Sequence, residues 1–434
     1  MPQPTLPGLP TPTPIAAAAP GGPARYETAN RTQIELTPTD LEGLLPPGHA
    51  ARLVWRFVEG LDLSAFYAAI KSREAGAGRP AIDPKILVAL WLYATIDGVG
   101  SAREVDRLCY AHDAYRWLRG GVSVNHHTLS DFRVGHQGAL DALLTQSIAV
   151  LLDRQVVTLH RLAQDGTKVR ANAGVRSFRR GERLRDCLAM ARQQVARARA
   201  QDEGAASARA AAAAQRAADE RLARVEEALA QLPAVTAVKQ RNRSKTAPKV
   251  STTDPDARIM KMSDGGFRPA YNIQFATDVD GHVIVGVEVT NVGSDQTALI
   301  PMLDQVHRRT GRVPTEVVVD GGYVSTTGID TTAERGSTLY APVATGAHAP
   351  GSGDEAPRDS AVAAWRARMA TADAKALYKT RAATAERINA DTRTHRALTQ
   401  IPVRGLLNLQ TWVLWIALAH NVLRAMAIVP HVMT

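Results

Sequence analysis

The sequence predicts an α/β core, a mixed sheet flanked by helices, joined to an N-terminal all-helical domain and interrupted by an inserted helical coiled-coil hairpin. Three observations carry that prediction. Residues 37–150 hold apolar stripes at helical spacing, separated by Gly and Asn turns. From residue 156 onward, β-branched runs alternate with turn dipeptides and helical stretches. Residues 183–232, inside that second region, are rich in Ala, Arg and Glu and repeat their apolar positions at coiled-coil spacing.

Length and composition set the limits. A chain of 434 residues holds two or three folding units and can bury a core without metal or disulfide staples. With 45% hydrophobic and 22% charged residues, wholesale disorder is excluded. Cys109 and Cys187 are the only cysteines and are far apart, which points to a reducing compartment and away from a thiolate zinc site. Lys and Arg total 52 against 42 Asp and Glu, and only nine of the basic residues are Lys. Arginine's planar fork suits phosphate, although coding bias in a G+C-rich genome gives the same skew. The excess is local: residues 166–250 carry 19 basic and 8 acidic side chains, the footprint of a nucleic-acid partner.

The elements follow in order. Residues 1–28, rich in Pro, Gly and Ala, read as a flexible tail without a targeting signal. Residues 29–150 form the helical domain, whose short helices joined by Gly and Asn turns resemble a helix-turn-helix style reader or, equally, a generic helical bundle. Asp83 caps a helix that opens on Pro84, and Ser101 caps the next, with Glu104 completing a capping box. Asn125 opens another through His126 and His127, read as helix-start or DNA-facing residues. Residues 156–160 (VVTLH) read as a strand ending near Asp165. Residues 181–249 are the basic insertion: apolar positions at Leu184, Leu188, Ala191 and Val195, then at Leu222, Val225, Leu229 and Leu232, have the spacings of a coiled-coil hairpin turning at Gly204, with a stop at Pro233 and a loop over 239–249. Strands return at 271–276 and 282–289 around an Asp280-Gly281 turn, then at 316–319 and 338–343, with a helix at 295–310 between them. A loose stretch at 344–357 precedes a helical remainder. Its apolar run at 412–426 is interrupted by His420, Asn421 and Arg424, and so reads as a buried helix carrying core Trp412 and Trp415, not a membrane span. With 181–249 set aside, residues 151–180 and 250–434 give three antiparallel strands followed by α/β units, the order of an RNase H-like core.

On such a sheet, phosphodiester chemistry needs acids at the first strand, at the end of the fourth, and on the helix beside them. Two Mg²⁺ ions roughly 3.5–4 Å apart are best held by carboxylate oxygens. Asp165, Asp320 and Glu386 stand at those positions. Each has a plainer reading alone: Asp-Gly is a turn dipeptide, and a helical Glu is usually solvated. Around Glu386, Arg393 falls about 20° from the same helix face and Arg381 about 140° away. The group could be a simple intrahelical ion-pair array, or an acid holding metal while arginines hold phosphates.

Seven segments now carry a resemblance: GRPAIDPKILVALWLY (78–93), NHHTLSDFR (125–133), QDGTKVRANA (164–173), TDPDARIMK (253–261), YNIQFATD (271–278), VVVDGGY (317–323) and YKTRAATAERINADTR (378–393). In this order the chain resembles bacterial insertion-sequence transposases of the DDE type, in the superfamily of insertion sequences four and five. The resemblance implies that Asp165, Asp320 and Glu386 are the catalytic and metal-binding triad, holding two Mg²⁺ (or Mn²⁺) ions. Tyr378, Arg381, Glu386 and Arg393 match the superfamily's Y-R-E-K signature, Arg393 standing where Lys is usual. Lys168, Arg170, Tyr378, Arg381 and Arg393 are then the DNA-binding residues, while Asp254 and Asp256 read as turn residues. The implied activity is strand cleavage at the element's ends and transfer of the freed 3′-OH to target DNA. Implied partners are double-stranded DNA, as terminal repeats and as target, and a second copy in a synaptic homodimer. The setting is cytoplasmic and nucleoid-associated, with no membrane. The alternative is a catalytically inactive or repurposed transposase that acts as a sequence-specific DNA-binding protein.

Overall fold

A computed structural model describes Thr32 and residues 40–72, 80–201, 208–343, 360–399 and 401–428. The predicted tail at 1–28, the turn at Gly204 and the loose stretch at 344–357 lie outside the described residues. The elements below all belong to the unit formed by residues 41–434.

Seven helices come first: α1 (Ala50–Glu59), α2 (Ser64–Ala68), α3 (Pro84–Ile96), α4 (Ala102–Ala111), α5 (Asp113–Arg119), α6 (His126–Gly135) and α7 (Gln137–Asp153). Their starts follow capping chemistry. Asp83 accepts from Lys85 N, Ser101 from Glu104 N and Asn125 from Thr128 N. Only half of the predicted capping box forms at α4, because the Glu104 carboxylate turns to Arg107 at 2.5 Å. Beyond Lys85, α3 is apolar on all sides and buried from Ile86 to Thr95, so it is a central helix, not a surface one.

The sheet has six strands. β1 (Arg161–Arg170) pairs antiparallel with β5 (Phe267–Asp278) on one side and parallel with β7 (Glu316–Val318) on the other. β7 pairs in turn with β8 (Thr338–Tyr340), also parallel. The far edge of β5 carries β6 (Val283–Thr290) and, near its start, β4 (Arg258–Lys261). β4 was not foreseen; its four residues carry no turn signal and too little alternation.

The predicted strand at 156–160 is not one. Gln155 and Leu159 adopt left-handed φ of 58° and 55°, and the Asp278 carboxylate takes the Thr158 and Leu159 N–H groups that a ladder would need. Val156 and Val157 are apolar because they are buried. The strand begins at Arg161 instead, which puts Asp165 at its middle.

Between β1 and β4 the chain leaves the sheet through a neck. β2 (Phe178–Arg179) pairs antiparallel with β3 (Val250–Ser251), and two long helices, α8 (Gly181–Gln201) and α9 (Ala208–Arg241), lie between them. Leu184, Ala228, Val235 and Val250 bury one another there. Pro233 does not stop α9, which continues to Arg241. The proline removes one i→i−4 bond and sits exposed, while Leu232 and Val235 on either side of it keep the helix anchored on Leu184 and Val250.

After β6 come α10 (Leu299–Thr310), α11 (Thr326–Glu334), α12 (Ala361–Ala370), then α13 (Ala372–Arg381), a π-helical turn at Ala382–Glu386 and α14 (Arg387–His395) in unbroken succession. α15 (Leu406–Ile428) closes the fold. It is long and apolar enough to span a bilayer, yet it lies buried against β6, α3, α6 and α7. Trp412 packs edge-on to Trp91 at 6.0 Å and Trp415 Nε1 donates to Arg133 O, so both indoles are core. Truncating either to Ala would cost roughly 3–5 kcal/mol. The polar breaks in α15 have a use: Asn421 bonds both Ile284 N and O, and Gln410 bonds Val289 N, covering the free edge of β6.

Candidate active site

The parallel pairing of β1 with β7 is the foundation. Arg161 lies opposite Glu316 and Ala163 opposite Val318, and an Arg161–Glu316 ion pair at 2.7 Å closes the base. Carried two residues further, the same offset sets Asp320 level with Asp165. The two aspartates therefore follow the paired stretch by the same two residues although 155 positions apart, Asp165 still within β1 and Asp320 just past the end of β7.

The two Asp-Gly dipeptides differ in role. Asp165-Gly166 is no turn. Gly166 sits within β1, where a Cβ would lie 2.3 Å from Gln274 Nε2 and 2.7 Å from Asp295 Oδ1. Its bareness lets those side chains press onto the strand beside Asp165. Asp320 does make a turn: its Oδ1 accepts from Gly322 N at 2.7 Å and caps the short 3₁₀ segment Gly321–Tyr323.

The third acid arrives with a surprise of geometry. On an unbroken α-helix Arg381 and Glu386 would diverge, as the 100° arithmetic predicts. The π turn intervenes, and its i→i+5 pattern brings residues five apart to one side. Arg381 Nη2 lies 3.0 Å from Glu386 Oε1, and its Nη1 lies 3.2 Å from Asp165 Oδ1. One guanidinium thus joins the strand acid to the helix acid. Tyr378 sits on its face, with Arg381 Cζ 5.9 Å from the ring centre.

Two further groups hold Asp165: Gly166 N donates to Oδ1 and Asn389 Nδ2 to Oδ2, each at 3.0 Å. Burial pushes the Asp165 carboxyl above the ordinary aspartate range; Arg381 opposes the rise and the Asp320 carboxylate adds to it. Burial also works against the Arg381 charge, but Asp165, Tyr378, Asp320 and Glu386 outweigh it and hold its pKa up.

A cavity of about 470 Å³ opens over this group, lined among others by Lys168, Lys261, Asp295, Glu386, Asn389 and Arg393. Of the expected DNA-binding residues, Lys168 and Arg393 line it, Arg381 bridges the carboxylates and Tyr378 backs Arg381. Arg170 is not in the lining; it lies exposed at the end of β1, where its charge reinforces the acidity of Asp264. His126 bonds Asp106 through both its backbone N and its ring, as a helix-start residue does.

Asn389, Gln274 and Asp295 escaped sequence reading. Asn389 had a signal, since it lies three residues after Glu386, one helical turn on. Asp295 had none: it is gathered by Asn272 Nδ2 at 2.6 Å and Gln274 Nε2 at 2.7 Å from a strand that precedes it. Asp254 and Asp256 do sit in a turn, and they also tie down α15 through Gly405 N and Leu406 N.

The donor set suits a hard cation, being carboxylate oxygen with the buried, unpartnered Asn389 Oδ1 alongside. Among the described residues no three acidic, His or Cys side chains converge as a metal-holding group. The positive charge between Asp165 and Glu386 is Arg381 itself.

Two family models match the chain: a transposase domain (DUF772) over residues 39–135 and a transposase DDE domain over residues 236–422. The first covers the N-terminal helices as far as α6, and the second takes in Asp320 and Glu386. Asp165 falls between the two spans. No curated protein and no solved structure gives a significant match.

Proposed function

From its place among the DDE transposases of insertion sequences, to which the chain belongs, we propose that it cuts DNA at the ends of its own element and joins the freed 3′-OH to target DNA. The observation that carries this reading is the approach of three acids: Asp165 within β1, Asp320 just past the end of the parallel strand β7 with its carboxylate acting on that of Asp165, and Glu386 linked to Asp165 through Arg381, with Asp165 and Glu386 lining one cavity. The strand order β6-β5-β1-β7-β8, antiparallel then parallel, supports reading this mixed sheet as an RNase H-like core.

Asp165, Asp320 and Glu386 would hold divalent cations, Mg²⁺ or Mn²⁺, which when bound supply the positive charge that phosphoryl transfer needs at its oxygens. The chain's own residues do the rest. Asn389 and Gly166 N fix the Asp165 carboxylate in one rotamer. Lys168 and Arg393 draw the phosphates of the scissile strand into the cavity. Arg381 releases the carboxylates as it turns to phosphate, aided by the Tyr378 ring behind it. Positioning and charge, not covalent chemistry by the protein, account for the rate.

Residues 29–150 are the DNA-end reader in this reading, 151–180 and 250–434 the catalytic domain, and 181–249 an inserted coiled-coil hairpin whose basic face adds phosphate contacts. Buried positions at Ala218, Val225, Ala228 and Val235 recur at seven, three and seven, as a coiled-coil seam does. Two ends must be brought together, which calls for a homodimer on DNA.

The test is strand cleavage of labelled DNA carrying the element's ends, with and without Mg²⁺, for wild type and Asp165→Ala. Nicking that requires both the metal and Asp165 is expected. Tight binding without nicking by wild type would replace this reading with that of a DNA-binding protein only.

A further inference from the structure

The helix that carries Glu386 has a second charged flank. Beginning at the next residue, Arg387, it turns toward a separate cavity of about 200 Å³, shared with Asp391, Arg396, His282 of the β5–β6 turn, and His420 and Arg424 of α15. Three guanidinium groups and two imidazoles face one carboxylate. That carboxylate is already engaged: Asp391 Oδ2 lies 3.7 Å from Arg396 Nε and 3.6 Å from His420 Nδ1. Arg396 is further held by Ile96 O at 2.6 Å, and His420 Nε2 by His282 O at 2.9 Å.

Arg387 and Arg424 remain. Among the described residues neither has a carboxylate within ion-pair distance, and Arg424 makes only a backbone bond to Gly281 O at 3.1 Å. They repel each other. Burial and then Arg387 disfavour the charge on Arg424, and burial, Arg424, Arg387 and His420 push the His282 pKa below the ordinary histidine value against the pull of Asp280. Gathering Arg387 and Arg424 in a concavity whose one carboxylate, Asp391, is already engaged by Arg396 and His420 is unfavourable for the folded chain alone. The same arrangement becomes favourable once an anion of matching size enters, and paired arginines suit the oxygens of a phosphate.

We infer that this cavity is a phosphate-binding site, taking a backbone phosphate of DNA beside the one at the carboxylates. The inference rests on DNA being the partner. Arg387 adjoins Glu386 in the chain, so a strand laid across this helix with one phosphate at the carboxylates would carry a neighbouring phosphate over Arg387. The carboxylate flank positions the bond to be cut. The arginine flank holds the strand that continues from it.

The test uses the full chain with Arg387→Gln/Arg424→Gln, a charge-keeping Arg387→Lys/Arg424→Lys control, and duplex DNA bearing the element's ends. Affinity is measured across a salt series. The double Gln variant should bind roughly 5–10-fold more weakly near 0.1 M salt, with a slope of log affinity against log salt shallower by about one, while the Lys variant keeps a slope close to wild type. Because Arg387 is exposed, Arg387→Gln alone should fold as wild type and show part of the change, which guards against a misfolded double variant. Unchanged affinity and slope in both Gln variants would overturn the site. A parallel melting series with inorganic phosphate separates the sources: stabilisation of wild type but not of the Gln variant, with an unchanged DNA slope, would overturn the backbone assignment in favour of free phosphate. Failure of wild type to bind DNA at any salt would overturn the proposed function instead.

Discussion

Two aspartates on the central strand pair, Asp278 fully buried and Asp165 half-buried, make opposite uses of their burial. Asp278, opposite Leu162, accepts from Leu159 N at 2.8 Å, Gly281 N at 2.7 Å and Thr158 N at 3.3 Å. Asp165, three residues along β1 from Leu162, has one backbone donor, Gly166 N. Its other partners are the side chains of Asn389 and Arg381. Burial raises the carboxyl pKa of both. The partners of Asp278 are fixed by the backbone it organises, so removing the carboxylate dismantles a turn. The partners of Asp165 can rotate away, so its oxygens can be given to something else. On the proposed function, the acid that works is the one held by side chains, and the acid that builds the fold is the one held by backbone N–H groups.

That contrast can be broken, and the largest effect comes first. Asp165→Asn and Asp320→Asn should each lower metal-dependent strand cleavage by at least about 10³-fold, while melting temperature moves little. Single-turnover cleavage and thermal melting of the same preparations check both halves. An equal loss of cleavage in Asp278→Asn at unchanged stability would erase the distinction.

Next, Asp278→Ala should lose about 2–4 kcal/mol of stability by leaving three backbone N–H groups without their acceptor. Asp254→Ala should behave alike, since it strands the buried Tyr271 hydroxyl and Gly405 N. Denaturant midpoints measure this, and a midpoint equal to wild type would make these acids dispensable to the fold.

Arg381→Gln sharpens the comparison at the site itself. If Arg381 stands between the carboxylates as the protein's own cation, removing it should enlarge the Mg²⁺-dependent rise in melting temperature, by roughly 2–4 °C. A smaller rise than in wild type would mean that Arg381 helps the metal.

The smallest effect is the pH dependence. Asp165, Asp254 and Asp278 all have carboxyls raised by burial. The folded chain therefore binds their protons more tightly than the unfolded chain does. Stability from these groups is greatest at low pH and falls as pH rises from the ordinary aspartate value through the raised ones. Asp278→Asn mimics the neutral form, so its melting temperature relative to wild type should climb over that window. A flat difference would show that the folded-state carboxyl is not raised.

The sequence made some of this legible and hid the rest for identifiable reasons. Asp320 could be read because Val317, Val318 and Val319 form a short apolar run with an acid at its end. β1 was harder: Val156 and Val157 imitate a strand, and the donors that Asp278 takes from that stretch lie more than a hundred residues away in sequence. Pro233 looked like a stop because helix propensity is local, whereas the contacts that carry α9 past it are not. The π turn was invisible, since nothing in Ala382–Glu386 distinguishes five residues of π from α. A wheel drawn at 100° per residue therefore put Arg381 on the wrong flank. Asn389 was within reach of that same arithmetic, one turn from Glu386.

The neck at Phe178–Arg179 and Val250–Ser251 has a consequence for how this chain can change over time. Residues more than seventy positions apart stand side by side there, Arg179 against Val250. A gene could lengthen, shorten or lose the segment between them, closing the gap with a tight turn, and β1 and β5 would still meet in the same register. The two helices are thus an exchangeable cassette. A reporter domain or a foreign DNA-binding module spliced at this neck should leave Asp165 level with Asp320.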